Sequence, residues 1–207
     1  MRVLITGGEG YIGSNLAQLV DCEQYDVTNG HDVLNRSQLE RAIIKYDITV
    51  HLAAISGIQP CDKVPPIAVV ENIIGTKNVA ELCKLHNKKM VFASSQAVHK
   101  QSMYGLTKLI GERIVSYYGG VSLRFSNVWG GLDYLKLKDS AIARLNKCTF
   151  EDRGHGEEIR DFIHVDDVCK GIVEAFNYDS GVYDLKSGIS ISINELIERF
   201  HGGEFRC

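Results

Sequence analysis

Apolar residues follow two rhythms along this chain: short unbroken runs bounded by glycine or charge, and longer stretches where they recur every three or four positions. The run "RVLIT" leads through "GGEG" into "YIGSNLAQLV", so residues 2–20 read as strand, tight turn and helix. "SQLERAIIKY" predicts a second helix with Ser37 as candidate cap, and the β-branched run "ITVHLAA" after it predicts a buried strand. Pro60, Pro65 and Pro66 predict a loop. Beyond them "VVENIIGTKNVAELCKLHN" is helical and "KKMVFASS" a strand; "YGLTKLIGERIVSYY" and "GVSLRFSNV" repeat the unit. Strands alternating with helices imply an α/β fold, a doubly wound parallel sheet covered on both faces, with ligands at the carboxyl ends of its strands.

Past Asn127 the rhythm loosens. "DSAIARLNKC" reads as helix, "CTFEDRGHGEE" as strand and loop, "HVDDVCKGIVEAF" as helix, "GVYDLKSG" as strand and "SINELIERF" as a capped final helix. This part is too short for an independent domain. The chain therefore divides into a sheet domain over 1–126 and a small lobe over 127–207, whose helix near 165–177 packs back on that domain.

Composition narrows the partners. A chain of 207 residues, 44% hydrophobic, can bury a real core, and a net charge of −3 with mixed signs offers no broad cationic face to nucleic acid or membrane. No apolar run approaches the length of a membrane span or leader. Cys22, Cys61, Cys83, Cys148, Cys169 and Cys207 are scattered without zinc spacing, which predicts free thiols in a reducing, cytoplasmic setting.

Gly7, Gly10 and Gly13 stand three apart between a strand and a helix. Glycine is needed there because a Cβ would obstruct positive φ angles or the approach of a pyrophosphate, while the helix start offers unpaired amides. This predicts a Rossmann-like dinucleotide site. Asp26, thirteen residues past Gly13, would accept hydrogen bonds from the adenosine ribose and repel a 2′-phosphate, favouring NAD; Asp32 is the other acid nearby, placed at the adenine. Tyr104 and Lys108 lie one helical turn apart, so the ammonium can favour the phenolate, lowering Tyr104 from its usual value toward a working base. Ser95, at the end of the preceding strand, can hydrogen-bond the same substrate oxygen.

The pieces "TGGEGYIG", "HLAA", "ENIIGTKNV", "FASSQAV", "YGLTK", "LRFSNVWG", "RDFIHVDDV" and "VYDLKSG" occur in this order over nearly the whole chain. Together they resemble the extended short-chain dehydrogenase/reductases, and within them the NAD-dependent epimerase/dehydratase family of nucleotide-sugar enzymes. The resemblance implies a catalytic group of Ser95, Tyr104 and Lys108, with Tyr104 as base and Lys108 also on the nicotinamide ribose. It implies NAD contacts from Gly7, Gly10, Tyr11, Ile12, Gly13, Asp26, Asp32, Val33, Leu52, Ala53 and Ala54, with Asn72 in a structural or cofactor-side role. Ser95, Gln96, Asn127 and Arg160 are implied to meet the nucleotide-sugar, Arg160 facing its diphosphate or ribose; the residues alone equally allow Arg160 to pair with Glu158 or Asp161. By the same resemblance "HVDD" starts a helix capped by its aspartates, so His164, Asp166 and Asp167 are not read as a metal cluster.

The implied reaction is 4-epimerisation of a UDP-sugar through a transient 4-keto sugar, with no net redox change. Relatives that dehydrate carry an Asp-Glu pair just after the serine; here Gln96 and Ala97 stand there, which disfavours dehydration. A keto-sugar reductase and a non-catalytic dinucleotide sensor are the alternatives. The chain is shorter than typical relatives: the first helix and second strand are compressed, the Ser95–Tyr104 connection has only eight residues, and the substrate lobe is reduced. His99 and Trp129 replace tyrosines of the pattern, and Arg206 matches no family arginine. "ENIIGTKNVAELC" and "YGLTKLIGERIV" are the candidate helices of a homodimer interface.

Overall fold

The computed structural model describes residues 1–131, 157–192 and 194–195. Six strands form one parallel sheet: β1 (Val3–Thr6), β2 (Cys22–Tyr25), β3 (Ile48–His51), β4 (Lys89–Ser95), β5 (Val121–Phe125) and β8 (Gly181–Leu185), in the order β2-β1-β3-β4-β5-β8. A second, three-stranded sheet contains β6 (Asn127–Trp129), β7 (Ile159–His164) and β9 (Ser190–Ser192), with β7 between the other two. The main sheet takes its sixth strand from beyond residue 127.

Side chains alternate across the strands and so build two cores. Val3, Ile5, Val50, Val91 and Leu123 pack on one face with α1 (Tyr11–Leu16) and α7 (Val165–Glu174), through Leu16, Val168 and Ile172. Leu4 and Phe92 point to the other face, where α2 (Arg36–Ile43), α5 (Gly75–Leu85) and α6 (Met103–Tyr118) supply Leu39, Ile43, Val79, Leu82 and Val115.

Several expectations are corrected. The cap of α2 is Asn35, whose side chain accepts from the Gln38 amide, and Ser37 lies inside the helix. The prolines do not make a loop: Pro60 sits in the first turn of α3 (Ile58–Lys63) and Pro65 and Pro66 open α4 (Pro65–Val69), where a missing N–H leaves no bond unmade. The following helix is interrupted by a π-helical turn at Val70–Ile74 before α5 begins. "GVSLRFSNV" is two strands, because the chain leaves the main sheet at Ser126, whose hydroxyl donates to Asp161 (2.6 Å). His164, rather than an aspartate, caps α7. The helix expected over 139–148, the strand and loop after it to 156, and most of the final helix lie outside the described residues, as do Cys148, Arg206 and Cys207.

Candidate active site

The carboxyl ends of β1, β2, β3, β4 and β5 open on two cavities of about 590 Å³ each. The glycine turn forms the floor of the first. Gly7 has φ +70°, and a Cβ there would lie 2.6 Å from the Ala53 nitrogen; at Gly13 it would lie 2.5 Å from the Gly7 carbonyl oxygen. Both positions are thus closed to any side chain, and the turn folds tightly under the cavity. Gly10, Tyr11, Ile12, Leu52, Ala53 and Ala54 also line it. At its far end stand Asp26, Val27, His31, Val33, Ile67 and Glu71.

Asp26 follows β2 directly. One carboxylate oxygen accepts from the Thr28 amide and hydroxyl (3.1 Å each), the other from the Glu9 amide in the glycine turn (3.2 Å). The carboxylate therefore joins two loops and faces the cavity. Asp32 is not among the lining residues; its side chain accepts from the Leu34 amide, and Val33 turns inward instead. Asn72 is also withdrawn: buried on the π-turn, it accepts from the Ile55 amide (2.8 Å) and donates to the Ile55 carbonyl and the Thr107 hydroxyl. A long, mostly apolar cavity with a glycine floor and a carboxylate at one end fits a dinucleotide in the residues present.

The second cavity is lined by Ser95, Gln96, Asn127 and Arg160, together with Gly57, Lys100 and Glu158. Asn127 donates to the Asp161 carbonyl (2.8 Å), and Arg160 pairs with Glu158, one of the two acids the sequence left open for it. The Asp161 carboxylate is held by Ser126, Ser187 and Gly188, which keep its pKa below the usual range despite burial.

Tyr104 borders both cavities, with Lys108 on the first side and Ser95 on the second. Lys108 is 4% exposed; its Nζ donates to the Ala93 carbonyl (2.8 Å) and lies 5.8 Å from the centre of the Tyr104 ring. The expected lowering of the phenol is corrected here. Burial raises the Tyr104 pKa above 10.0, hydrogen bonds with Ser56 and Ser95 oppose that rise, and burial also pushes Lys108 down to about 8. Both charged forms have lost water at the same place, which raises the phenol and lowers the ammonium.

Sequence reasoning missed four contributors. Ser56 touches Tyr104 from the loop after β3. His31 stacks on Tyr25 at 4.7 Å beside the cavity. Glu71 adds a second acid there, its carboxyl raised by burial and by Asp32. Glu112, two helical turns beyond Tyr104, is buried and holds Arg124 and Ser94, partners that nothing in its own stretch of sequence marks.

Residues 3–185 match the family model described as the NAD dependent epimerase/dehydratase family. UDP-glucuronate 4-epimerase 4 of Arabidopsis thaliana is 27% identical over 86% of this chain and 54% of its own length. UDP-glucose 4-epimerase of Pisum sativum is 28% identical over 91% of this chain and 67% of its own. The chain thus spans about half to two thirds of these curated relatives. Among solved structures, MoeE5 in complex with UDP-glucose and NAD superposes with a TM-score of 0.82 at 26% identity, covering 98% of this chain and 82% of that one. UDP-glucose 4-epimerase of Thermotoga maritima with UDP-glucose gives a TM-score of 0.84 at 20% identity, covering 100% of this chain and 84% of that one, which supports the fold.

Proposed function

This chain belongs to the NAD dependent epimerase/dehydratase family, and on that premise we propose that it epimerises a nucleoside-diphosphate sugar, a UDP-sugar at its 4-hydroxyl. The observation that carries the reading is the place of Tyr104, on the wall shared by a dinucleotide-shaped cavity and a polar one. NAD bound in the first cavity supplies hydride acceptance and return. Gly7, Gly10 and Gly13 would receive its pyrophosphate, and Asp26 its adenosine ribose.

The residues of the chain move the proton and hold the sugar. Tyr104 takes the proton of the 4-hydroxyl while Ser95 fixes the same oxygen, and Lys108 keeps positive charge beside the phenolate. The cavity would let the 4-keto sugar turn its other face, and Tyr104 would return to the 4-oxygen the proton it first took. Gln96 and Ala97 provide no acid or base for loss of water. Asn127 and Arg160 would bind the nucleotide portion, Arg160 exchanging Glu158 for phosphate oxygens.

We further propose a cytoplasmic homodimer. The outer faces of α5 and α6 leave Leu85, Leu106 and Tyr117 exposed, and Cys22, Cys61, Cys83 and Cys169 are free thiols. No described helix is long and apolar enough to cross a membrane. Incubation with UDP-sugars and NAD, read by product separation, tests the activity. Tyr104→Phe should abolish turnover and retain NAD binding; a variant that turns over at the parent rate removes the proposed base. Light scattering tests the dimer.

A further inference from the structure

Ser95 lies between two anchored neighbours. On one side, the Ser94 hydroxyl donates to Glu112 Oε1 (2.5 Å). On the other, the Gln96 side-chain amide donates to Asp184 Oδ1 (2.9 Å). Arg124 donates from Nε and Nη2 to both Glu112 oxygens (2.8 Å each) and stands opposite Asp184 across the β5–β8 ladder, so the two anchors meet through the charges of Arg124 and Asp184. Ser94 on Glu112 and Gln96 on Asp184 thus hold the chain before and after Ser95. Glu112 is carried by α6, the helix of Tyr104 and Lys108.

We propose that Glu112, Arg124 and Asp184 are positioning residues that set Ser95 against Tyr104 and fix the Gln96 amide as a specificity-determining group for the sugar. A two-pronged carboxylate–guanidinium pair holds its partners in one plane, and at Glu112, 3% exposed, no water competes for the bonds. It ties α6 to β5, and through Ser94 to β4, at the level where Ser95 leaves the sheet. Asp184 takes one N–H of the Gln96 amide and so fixes its plane, leaving the carbonyl oxygen and the second N–H for the cavity that Gln96 lines. A fixed amide there, beside Ser95, selects a sugar whose group next to the reacting hydroxyl can pair with it, a hydroxyl or an amide. The specificity part rests on the epimerase reading; the positioning part does not.

The Ala97 amide reports on Ser95 without any substrate, because it donates to the Ser95 hydroxyl (3.1 Å). Amide hydrogen exchange of Ala97 should speed up about tenfold in Glu112→Gln, fully in Ser95→Ala, and no further in the double variant. Should Glu112→Gln fail to fold, Arg124→Lys, which keeps the charge and loses the fork, takes its place. Turnover gives the second reading: Glu112→Gln lowers kcat with KM held, and costs nothing more once Ser95 is alanine. Asp184→Ala, altering a side chain 44% exposed, should raise the sugar KM about as much as Gln96→Ala, roughly tenfold, and the pair should not add. Equal effects of Glu112→Gln with and without Ser95, or an Ala97 amide indifferent to it, overturn the positioning role. A normal sugar KM in Asp184→Ala overturns the Gln96 role. If no sugar is turned over but Ala97 responds as described, the network stands and the epimerase reading falls.

Discussion

Mild acid should weaken this protein through His51. The imidazole ends β3 and is 1% exposed. Thr76 donates its hydroxyl to the Asn72 carbonyl (2.6 Å), so toward His51 it can only accept, which places the ring proton on Nε2 (3.0 Å). Nδ1 then accepts from the Thr6 hydroxyl (2.7 Å). A second proton has no good site, and burial, helped by the nearby Lys108 charge, pushes His51 down to about 3. The unfolded value is near 6.5, so between the two it is the unfolded chain that binds the extra proton. Stability from this group is complete above the unfolded value and is lost as pH falls toward the folded one. At about 1.4 kcal/mol per pH unit, passing from about pH 7 to about pH 5 costs about 2 kcal/mol, a large share of a stability of ~5–15 kcal/mol. Urea denaturation at both pH values, compared with His51→Gln, isolates the effect from other titrating groups. The variant should lose about 1–2 kcal/mol at neutral pH through its broken hydrogen bonds, yet its acid penalty should shrink by about 2 kcal/mol. An acid penalty equal to that of the parent refutes the reasoning.

Other perturbations test the site and its supports. Gly13→Ala should cut NAD affinity by tenfold or more, roughly 1.4 kcal/mol, measured by titration calorimetry, since its Cβ has only backbone to displace. Lys108→Met should end turnover yet raise stability near neutral pH by roughly 1–2 kcal/mol; because the folded pKa of about 8 lies below 10.5, parental stability should rise with pH between those values, and that of the variant should not. Gly105→Ala should lower kcat and melting temperature, because the added Cβ would lie 2.2 Å from the Ala97 carbonyl oxygen; helix propensity alone predicts a gain of about 1 kcal/mol, so a raised melting temperature sinks this account.

The centre of the sheet was legible because β1 and β3 are buried on both sides and read as short apolar runs, and the glycine turn because no other residue fits its backbone. The polar groups that brace the site were not, since their partners are distant in sequence. His51 lies inside "ITVHLAA" and meets Thr6 and Thr76, 45 and 25 residues away. Glu112 looks like an ordinary helix-surface glutamate until Arg124 and Ser94 are folded against it. The π-turn at Val70–Ile74 left no mark either, because a helix with one extra residue keeps nearly the same apolar rhythm. Asp32 and Val33 show the finer limit: neighbours in one loop point opposite ways, and only the fold decides which enters the cavity.

The eight residues between Ser95 and Tyr104 need no longer loop, and the reason is local. Ser95 starts a single 3₁₀ turn at Gln96–His99, and Ser102 caps α6 by accepting from the Gly105 amide (3.0 Å). Met103 is steadied from α3 by Asp62 (3.0 Å). Gly105 lets the helix start against the Ala97 and Lys100 carbonyls with no side chain between. The reversal thus occupies the smallest space the backbone allows, and Ser95 and Tyr104 stay in contact. What the short connection gives up is wall: between Gln96 and Tyr104 the polar cavity is bordered by Ala97 and by Lys100, an exposed side chain. Among the described residues, Ser95, Gln96 and Asn127 at the strand ends line this cavity, and the clamp behind Gln96 acts on specificity, in the proposal above, by fixing one of them.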